Sequence, residues 1–269
     1  MKDVRKILGI ISVVIFLVLH VQTASAMADS KSSYHQRVPI LLYHHLTDNY
    51  DMAQSSVNIS PKKFEEHMLA LKKAGYNTIT FKDYYNHVVY GNKLPENPLI
   101  ITFDDGYSSN YEYAYPILKR LGMKATIFIV TSRVGEVEGV TYPHFDWDQA
   151  REMERSGVID IQSHSDLHLD MTKLDRAKAQ FELRRSRYLI EKELGKTFHV
   201  FAYPYGLFNA ELQDMAQKAG YKVQVIVGDK GVNCREEGLT QLKRLTVFGN
   251  TSGEQLLKMI QDNMEYCKK

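Results

Sequence analysis

Cysteine is scarce in this chain. Cys234 and Cys267 are the only two in 269 residues, too few for a disulfide-built scaffold and without the close Cys/His spacing of a structural zinc site. One bridge or none remains open to them. An excess of one charge is also missing. The formal +2 disappears when the three basic and one acidic residues of the first 26 are removed from the chain's 34 and 32, leaving 31 of each sign. Such neutrality excludes the electrostatic footprint of a nucleic-acid or anionic-membrane binder. There is no internal repeat and no low-complexity tract. With 44% hydrophobic and 25% charged residues, the composition excludes collagenous, disordered and multi-span membrane chains and leaves a globular protein able to bury a core.

The N-terminus differs from the rest. Lys2, Arg5 and Lys6 precede the uncharged run Ile7 to Leu19, which closes on Ala24-Ser25-Ala26. That order is expected of a secretory signal peptide cleaved after Ala26. The alternative is an uncleaved anchor, although a spanning helix needs about 20 apolar residues. Either way the working domain is expected to face outward, secreted or in the extracellular cell envelope, or membrane-anchored. Residues 27–37 read as a linker and 38–269 as a single domain.

Beyond the linker, strand-like runs alternate with helical patterns. The runs are Val38 to Tyr43, Thr78 to Phe81, Leu99 to Phe103, Ala125 to Val130, Val158 to Gln162, Val200 to Tyr203, Val223 to Val227 and Leu242 to Phe248. Ser60-Pro61 opens a helix with Phe64, Met68 and Leu71 on one face; Asp146 with Gln149, Asp175 and Asn209 open others. The alternation predicts an α/β fold, a single distorted (β/α) barrel of seven to eight parallel strands.

In such a barrel the strand ends define the site, and here they are polar. The runs end in His44-His45, in Asp104-Asp105-Gly106, in Ser163-His164 with His168 shortly after, and in Pro204-Tyr205-Gly206. Side by side, two carboxylates do not both ionise cheaply without a cation. They serve one site only if the chain leaves the strand at once, a bend that Gly106 permits. His164 and His168 are four apart, a spacing that brings two imidazoles together on a turn. With Asp105 they form a set of three protein ligands with a position left for water, the pattern of a catalytic zinc site.

At these residues the sequence resembles the polysaccharide deacetylases of the NodB-homology group, the family 4 carbohydrate esterases. Thr102-Phe103-Asp104-Asp105-Gly106 matches their first motif and Ser163-His164-Ser165-Asp166-Leu167-His168 their second, while Phe201-Ala202-Tyr203-Pro204-Tyr205-Gly206 resembles the third. The resemblance implies a divalent metal, zinc first, with cobalt or another divalent ion as alternatives, and hydrolysis of N-acetyl groups on amino-sugar polymers. By position, Asp104 resembles the catalytic base; Asp105, His164 and His168 resemble the metal ligands; and Tyr205 stands where a backbone N–H helps hold the oxyanion. Ala202 occupies the place of an arginine that often braces the base, and Arg244 is the replacement candidate. No histidine follows His199 to act as the usual C-terminal general acid. A circularly permuted branch, which includes deacetylases of poly-β-1,6-N-acetylglucosamine, takes its acid from an N-terminal Tyr-His pair. Tyr43-His44 matches that pair and makes His44 the candidate.

The expected partner is a polysaccharide, with no nucleic acid and no stable membrane insertion unless the signal is uncleaved. The competing activities are an O-acetyl esterase on xylan-like polymers and a glycan-binding barrel without chemistry. Trp147 and the tyrosines from Tyr107 to Tyr115 read equally as glycan-facing or as packing. His67, His87 and His199 read as structural or solvated, and His144 is unassigned.

Overall fold

The structure, a computed structural model, describes residues 37–264 apart from Asp51 and Asp229. The expected signal peptide, the linker up to Gln36, and Cys267 lie outside the described residues. The strands are β1 (Val38–Tyr43), β2 (His45–Leu46), β3 (Asn58–Ile59), β4 (Asn77–Thr78), β5 (Pro98–Phe103), β6 (Ala125–Ile129), β7 (Ile159–Ser163), β8 (Val200–Ala202), β9 (Val223–Val227), β10 (Val232–Asn233) and β11 (Leu242–Thr246). The α-helices are α1 (Pro61–Lys73), α2 (Phe81–Tyr90), α3 (Tyr115–Leu121), α4 (Trp147–Arg155), α5 (Arg176–Leu194), α6 (Ala210–Lys218) and α7 (Gly253–Met264). Seven parallel strands close a barrel in the order β1, β11, β9, β8, β7, β6, β5 and back to β1. Outside the ring, β10 runs antiparallel to β1, β4 extends along the first half of β5, and β2 pairs with β3.

The two-residue period of the strands decides what enters the barrel. Val38 and Ile40 of β1, Ile100 of β5, Phe128 of β6, Val200 and Ala202 of β8, and Leu242 of β11 share one buried cluster. Their sequence neighbours Leu41, Tyr43, Ile101, Phe103, Ile127, Ile129 and Leu245 join a second, which packs against Phe64 and Met68 of α1, Met153 of α4 and Leu256 and Ile260 of α7. Continuing the first phase to the strand ends brings His44, Asp104 and Arg244 to the barrel's interior side.

The expected helix starts are present. Ser60 caps α1 by accepting from the Lys63 amide, and Asp146 and Gln149 form a reciprocal capping box at α4. Asp175 and Asn209 cap α5 and α6. The run Thr78 to Phe81 behaves differently from the expectation of a barrel strand. Thr80 and Asp83 close a capping box that starts α2 at Phe81, so the strand stops at Thr78 after two residues. Phe81 and Tyr84 then join the interior cluster. No helix among the described residues is long and apolar enough to cross a membrane.

Candidate active site

Asp104 continues β5 by one residue, its amide donating to the Tyr43 carbonyl at 3.1 Å. The chain then turns abruptly, with Asp105 at φ 76° and Gly106 at φ 82°. The bend expected of Gly106 therefore begins a residue earlier, in a left-handed aspartate, and a Cβ at Gly106 would stand 3.0 Å from the Ile129 side chain. This reversal brings both carboxylates to the same mouth. His164 directly follows β7, and His168 returns to it through a loop in which Ser165 (φ 69°) and His168 (φ 57°) are also left-handed.

Asp104 is 2% exposed and is held by Arg244 through two parallel bonds, Nη1 to Oδ1 at 2.6 Å and Nη2 to Oδ2 at 2.8 Å. Arg244 is completely buried. It also donates Nε to the Ile226 carbonyl and Nη1 to Thr102 Oγ1, both at 3.3 Å, and lies 5.4 Å over the Phe128 ring. Burial alone would raise the Asp104 carboxyl; Arg244, then His164, hold it well below the usual carboxylate range. Arg244 thus reaches, from the neighbouring face of the barrel, the carboxylate that Ala202 has no side chain to brace.

Asp105 Oδ1 stands 3.4 Å from His168 Nε2 and 3.7 Å from His164 Nε2. His164 Nδ1 lies 2.8 Å from the Ala202 carbonyl, which only accepts, so Nδ1 carries a proton and Nε2 is the nitrogen left to offer a lone pair to an ion. That lone pair faces Asp105 Oδ1 and, at 3.6 Å, Asp104 Oδ2. Acceptors facing acceptors repel unless a cation or proton lies between them. Three donor atoms about 2.1 Å from a tetrahedral ion stand roughly 3.4 Å apart, close to the two spacings from Asp105, and all three donor atoms lie within 4.8 Å of one another. Asp105, His164 and His168 form the one group of three or more His, Cys, Asp or Glu side chains among the described residues with a metal-ligating arrangement. The donor set fits a divalent ion. Burial, then His164, lowers the His168 imidazole to about 4, against the pull of Asp105 and Asp104.

His44 leaves β1 beside Asp104, because Tyr43 pairs with Phe103 across the ladder. Asn110 fixes its backbone, donating Nδ2 to the His44 carbonyl at 2.8 Å from the start of a short π-helix, Asn110–Ala114. Its buried Nδ1 has no hydrogen-bond partner among the described residues. Burial pushes this imidazole below its ordinary value, opposed by Asp104 and Asp105 and reinforced by Arg244 and His164. His45 belongs to the other phase. Its Nδ1 lies 2.8 Å from Ser109 Oγ, and its ring stacks at 4.2 Å on Tyr142.

Tyr205 is left-handed at φ 60°. Its side chain is 62% exposed, with the ring against His168 at 4.7 Å and the hydroxyl donating to the His168 carbonyl at 3.4 Å. Gly206 needs its lack of a side chain, since a Cβ would meet Val227 at 2.9 Å.

One contact was not singled out from sequence: Tyr107 donates its hydroxyl to Asp105 Oδ2 at 2.8 Å, which leaves Oδ1 toward the histidines. Its place directly after Asp-Asp-Gly was the available signal. His144 is buried with its ring 5.1 Å from Tyr107, and neither ring nitrogen has a partner among the described residues. Trp147 packs on the core. His67 bridges Tyr43 and the Thr251 carbonyl, His87 bonds the Asn92 carbonyl, and His199 faces Glu191, so these three are structural.

A closed parallel barrel whose strand ends gather a braced carboxylate, a His-His-Asp triad and a half-buried imidazole defines a hydrolase of the barrel type. Its relatives narrow this class. A family profile described as Polysaccharide deacetylase matches residues 91–224. The Bacillus subtilis (strain 168) protein YxkH, whose name places it with the polysaccharide deacetylases, is 35% identical over 217 residues, covering 81% of this chain and 74% of its own. A poly-β-1,6-N-acetyl-D-glucosamine N-deacetylase of Staphylococcus aureus (strain N315) is 26% identical over 259 residues, 86% of this chain and 89% of that one. The Streptococcus pyogenes deacetylase PplD, solved with acetate, shares the fold with a TM-score of 0.76 at 24% identity, over 84% of this chain and 99% of its own. The chain belongs to the polysaccharide deacetylase family.

Proposed function

We propose that the protein is an exported, metal-dependent N-deacetylase that releases acetate from the N-acetyl groups of an amino-sugar polymer, with poly-β-1,6-N-acetylglucosamine as the first substrate to try. The observation that carries this reading is the adjacency of two unlike carboxylates: Asp104, clamped by Arg244, and Asp105, facing His164 and His168. Asp105, His164 and His168 would hold the ion, with zinc or cobalt suited to this N/O donor set. When bound, such an ion polarises a carbonyl and makes water more acidic.

Arg244 keeps Asp104 ionised and aimed, so this carboxylate is available to take the proton of the attacking water. Tyr205, on its left-handed turn, contributes a backbone N–H to the oxyanion of the tetrahedral intermediate. Collapse of that intermediate requires a proton on the departing nitrogen, because without it the nitrogen would leave as an amide anion, a far poorer leaving group than an alkoxide. His44 supplies it from β1, on the same rim as the base. The need for this acid favours an amide substrate, and the Staphylococcus aureus N-deacetylase among the relatives supports the same choice. Residues 1–26 support export, with cleavage after Ala26; the mass of the protein recovered outside the cell tests this, and an intact N-terminus in the membrane fraction would instead make it an outward-facing anchored enzyme.

The test of the activity is acetate release from a panel of poly-N-acetylglucosamine, chitooligosaccharide, peptidoglycan and acetylxylan, before and after exhaustive chelation. Release from an N-acetylated polymer that chelation abolishes and zinc or cobalt restores is expected. Release from acetylxylan alone would make the protein an O-acetyl esterase, and no release from any member would leave a binding barrel. Full activity in protein confirmed metal-free would overturn the mechanism.

A further inference from the structure

The loop that carries the two triad histidines is held from behind by a residue outside every motif. Glu182, in the middle of α5, is 2% exposed. Its Oε2 accepts from two successive backbone amides, Asp166 N–H at 3.0 Å and Leu167 N–H at 2.8 Å. Those amides lie between His164 and His168. Among the described residues no lysine or arginine forms an ion pair with Glu182, so the two amides are its polar partners on this side of the helix.

The loop needs such a hold. Ser165 and His168 both occupy the left-handed region without being glycine, a conformation that persists only where the surroundings over-determine it. Some determinants are internal: Ser165 Oγ accepts the His168 amide at 3.0 Å, and Ser163 Oγ accepts the Ser165 amide at 3.2 Å. Thr131 and Ser132 grip the loop's outer side, Thr131 donating its hydroxyl to Asp166 Oδ1 at 2.5 Å and Ser132 donating its own to the Asp166 carbonyl at 2.6 Å. Glu182 is the carboxylate that grips the loop's backbone from another element, and a hydrogen bond to an ionised oxygen is about twice as strong as a neutral one.

We infer that Glu182 is the positioning residue of the histidine loop and sets the affinity of Asp105, His164 and His168 for a divalent ion, an inference that rests on the metal-site reading above. It touches no reacting atom. Its work is to hold the loop in the shape that brings His168 Nε2 to the same carboxylate oxygen as His164 Nε2. Partners of this kind behind a ligand shell typically alter metal affinity by roughly 10- to 100-fold when removed.

The experiment is a competition titration of Co²⁺ and Zn²⁺ against a chromophoric chelator, using full-length, metal-free protein, with the Co²⁺ absorption spectrum and apo melting temperature recorded alongside. Wild type, Asp105→Ala, Glu182→Gln and Glu182→Ala are compared. Glu182→Ala is expected to weaken Co²⁺ binding by roughly 10- to 100-fold and to shift the spectrum. Glu182→Gln, which keeps an oxygen acceptor of the same reach, is expected to recover most of that loss. A Glu182→Ala protein that melts earlier yet binds Co²⁺ with wild-type affinity and spectrum would overturn the inference and leave Glu182 a packing residue. Should Glu182→Ala not fold, Glu182→Asp draws the carboxylate back by one methylene and decides the question by the same readings. If wild type itself binds no more tightly than Asp105→Ala, the metal-site reading fails; if wild type binds and the Glu182 variants match it, only this inference does.

Discussion

The two ends of the barrel each hold a cluster of partly or wholly buried charge, and they are built on opposite plans. At the N-terminal end, Lys196, its side chain 8% exposed, meets Glu154 Oε1 at 2.7 Å and also pairs with Asp160. Glu154 Oε2 accepts the Ile161 amide at 2.7 Å, and the Gln162 amide reaches both Asp160 oxygens at 3.1 Å. Every charge there meets its complement. At the C-terminal end one carboxylate is saturated by Arg244, while its neighbour and two imidazoles turn lone pairs toward one another across 3.4 to 3.7 Å. A closed cluster holds a fold together, whereas an open one requires something from outside. The contrast separates structure from chemistry without reference to any relative.

The sharpest test of this contrast lies within the open cluster. Asp105→Ala is expected to lose bound metal and fall to background activity, whereas Asp104→Asn keeps most of the metal and loses turnover by about 10² to 10⁴. Metal content and acetate release on both variants decide it, and an empty Asp104→Asn would reverse the roles. A loss of similar size, roughly 10² to 10⁴ on an amide substrate, is expected for His44→Ala with metal and fold retained, and a smaller one on an activated aryl acetate. His45→Ala, in the other strand phase, is expected to leave turnover nearly unchanged; if it is the crippling variant, the acid has been placed on the wrong residue.

The closed cluster should respond in stability alone. Lys196→Met is expected to destabilise by somewhat less than the roughly 3–5 kcal/mol of a fully buried pair, because its partners keep some solvent, and to leave kcat unaltered; denaturant melts and kinetics on one preparation check both halves. The smallest effect is that of pH. Burial lowers His67 below its unfolded value of about 6.5, so its neutral form stabilises the fold. That contribution is complete above pH ~6.5 and is lost as pH falls below it toward the folded value. His45, lowered by burial to about 4, acts in the same direction. Asp104 adds no slope there, since a depressed carboxyl keeps its contribution above its unfolded value of about 3.9 and loses it only as pH falls through its folded value. Melting temperature is therefore expected to decline from pH 7 to pH 5, and His67→Gln to flatten that decline. A flat wild-type profile would contradict it.

How far all this could be read in advance depended on the range of the interaction. Asp104, Asp105, His164 and His168 were legible because strand ends and short spacings are local signals. Arg244 was reachable because Ala202 left a vacancy and β11 offered a charge in the right phase. The run Thr78 to Phe81 was misread as a barrel strand: its apolar residues look like one, but the Thr80–Asp83 cap, a signal of equal locality, decides for helix. Tyr107 could not be told from a packing residue, since its function is one hydroxyl aimed at one oxygen. Glu182 left no trace, because a glutamate in mid-helix looks solvated until the helix is packed.

The position of β1 has a consequence for how the molecule is made. Leu41 lies opposite both Ile101 of β5 and Leu245 of β11, so the first strand of the ring waits for residues from the far end of the chain before its second edge is covered. Contacts of such separation form slowly. A chain stalled or clipped before Leu242 keeps open edges on β1 and β9, ready to pair with another molecule. It also lacks Arg244, which leaves Asp104 a lone acid within a half-built wall. With Asp104 as the base proposed above, ring closure and the arming of that base are one event, and an unfinished chain is expected to be inert toward substrate while it is still vulnerable to aggregation and proteolysis.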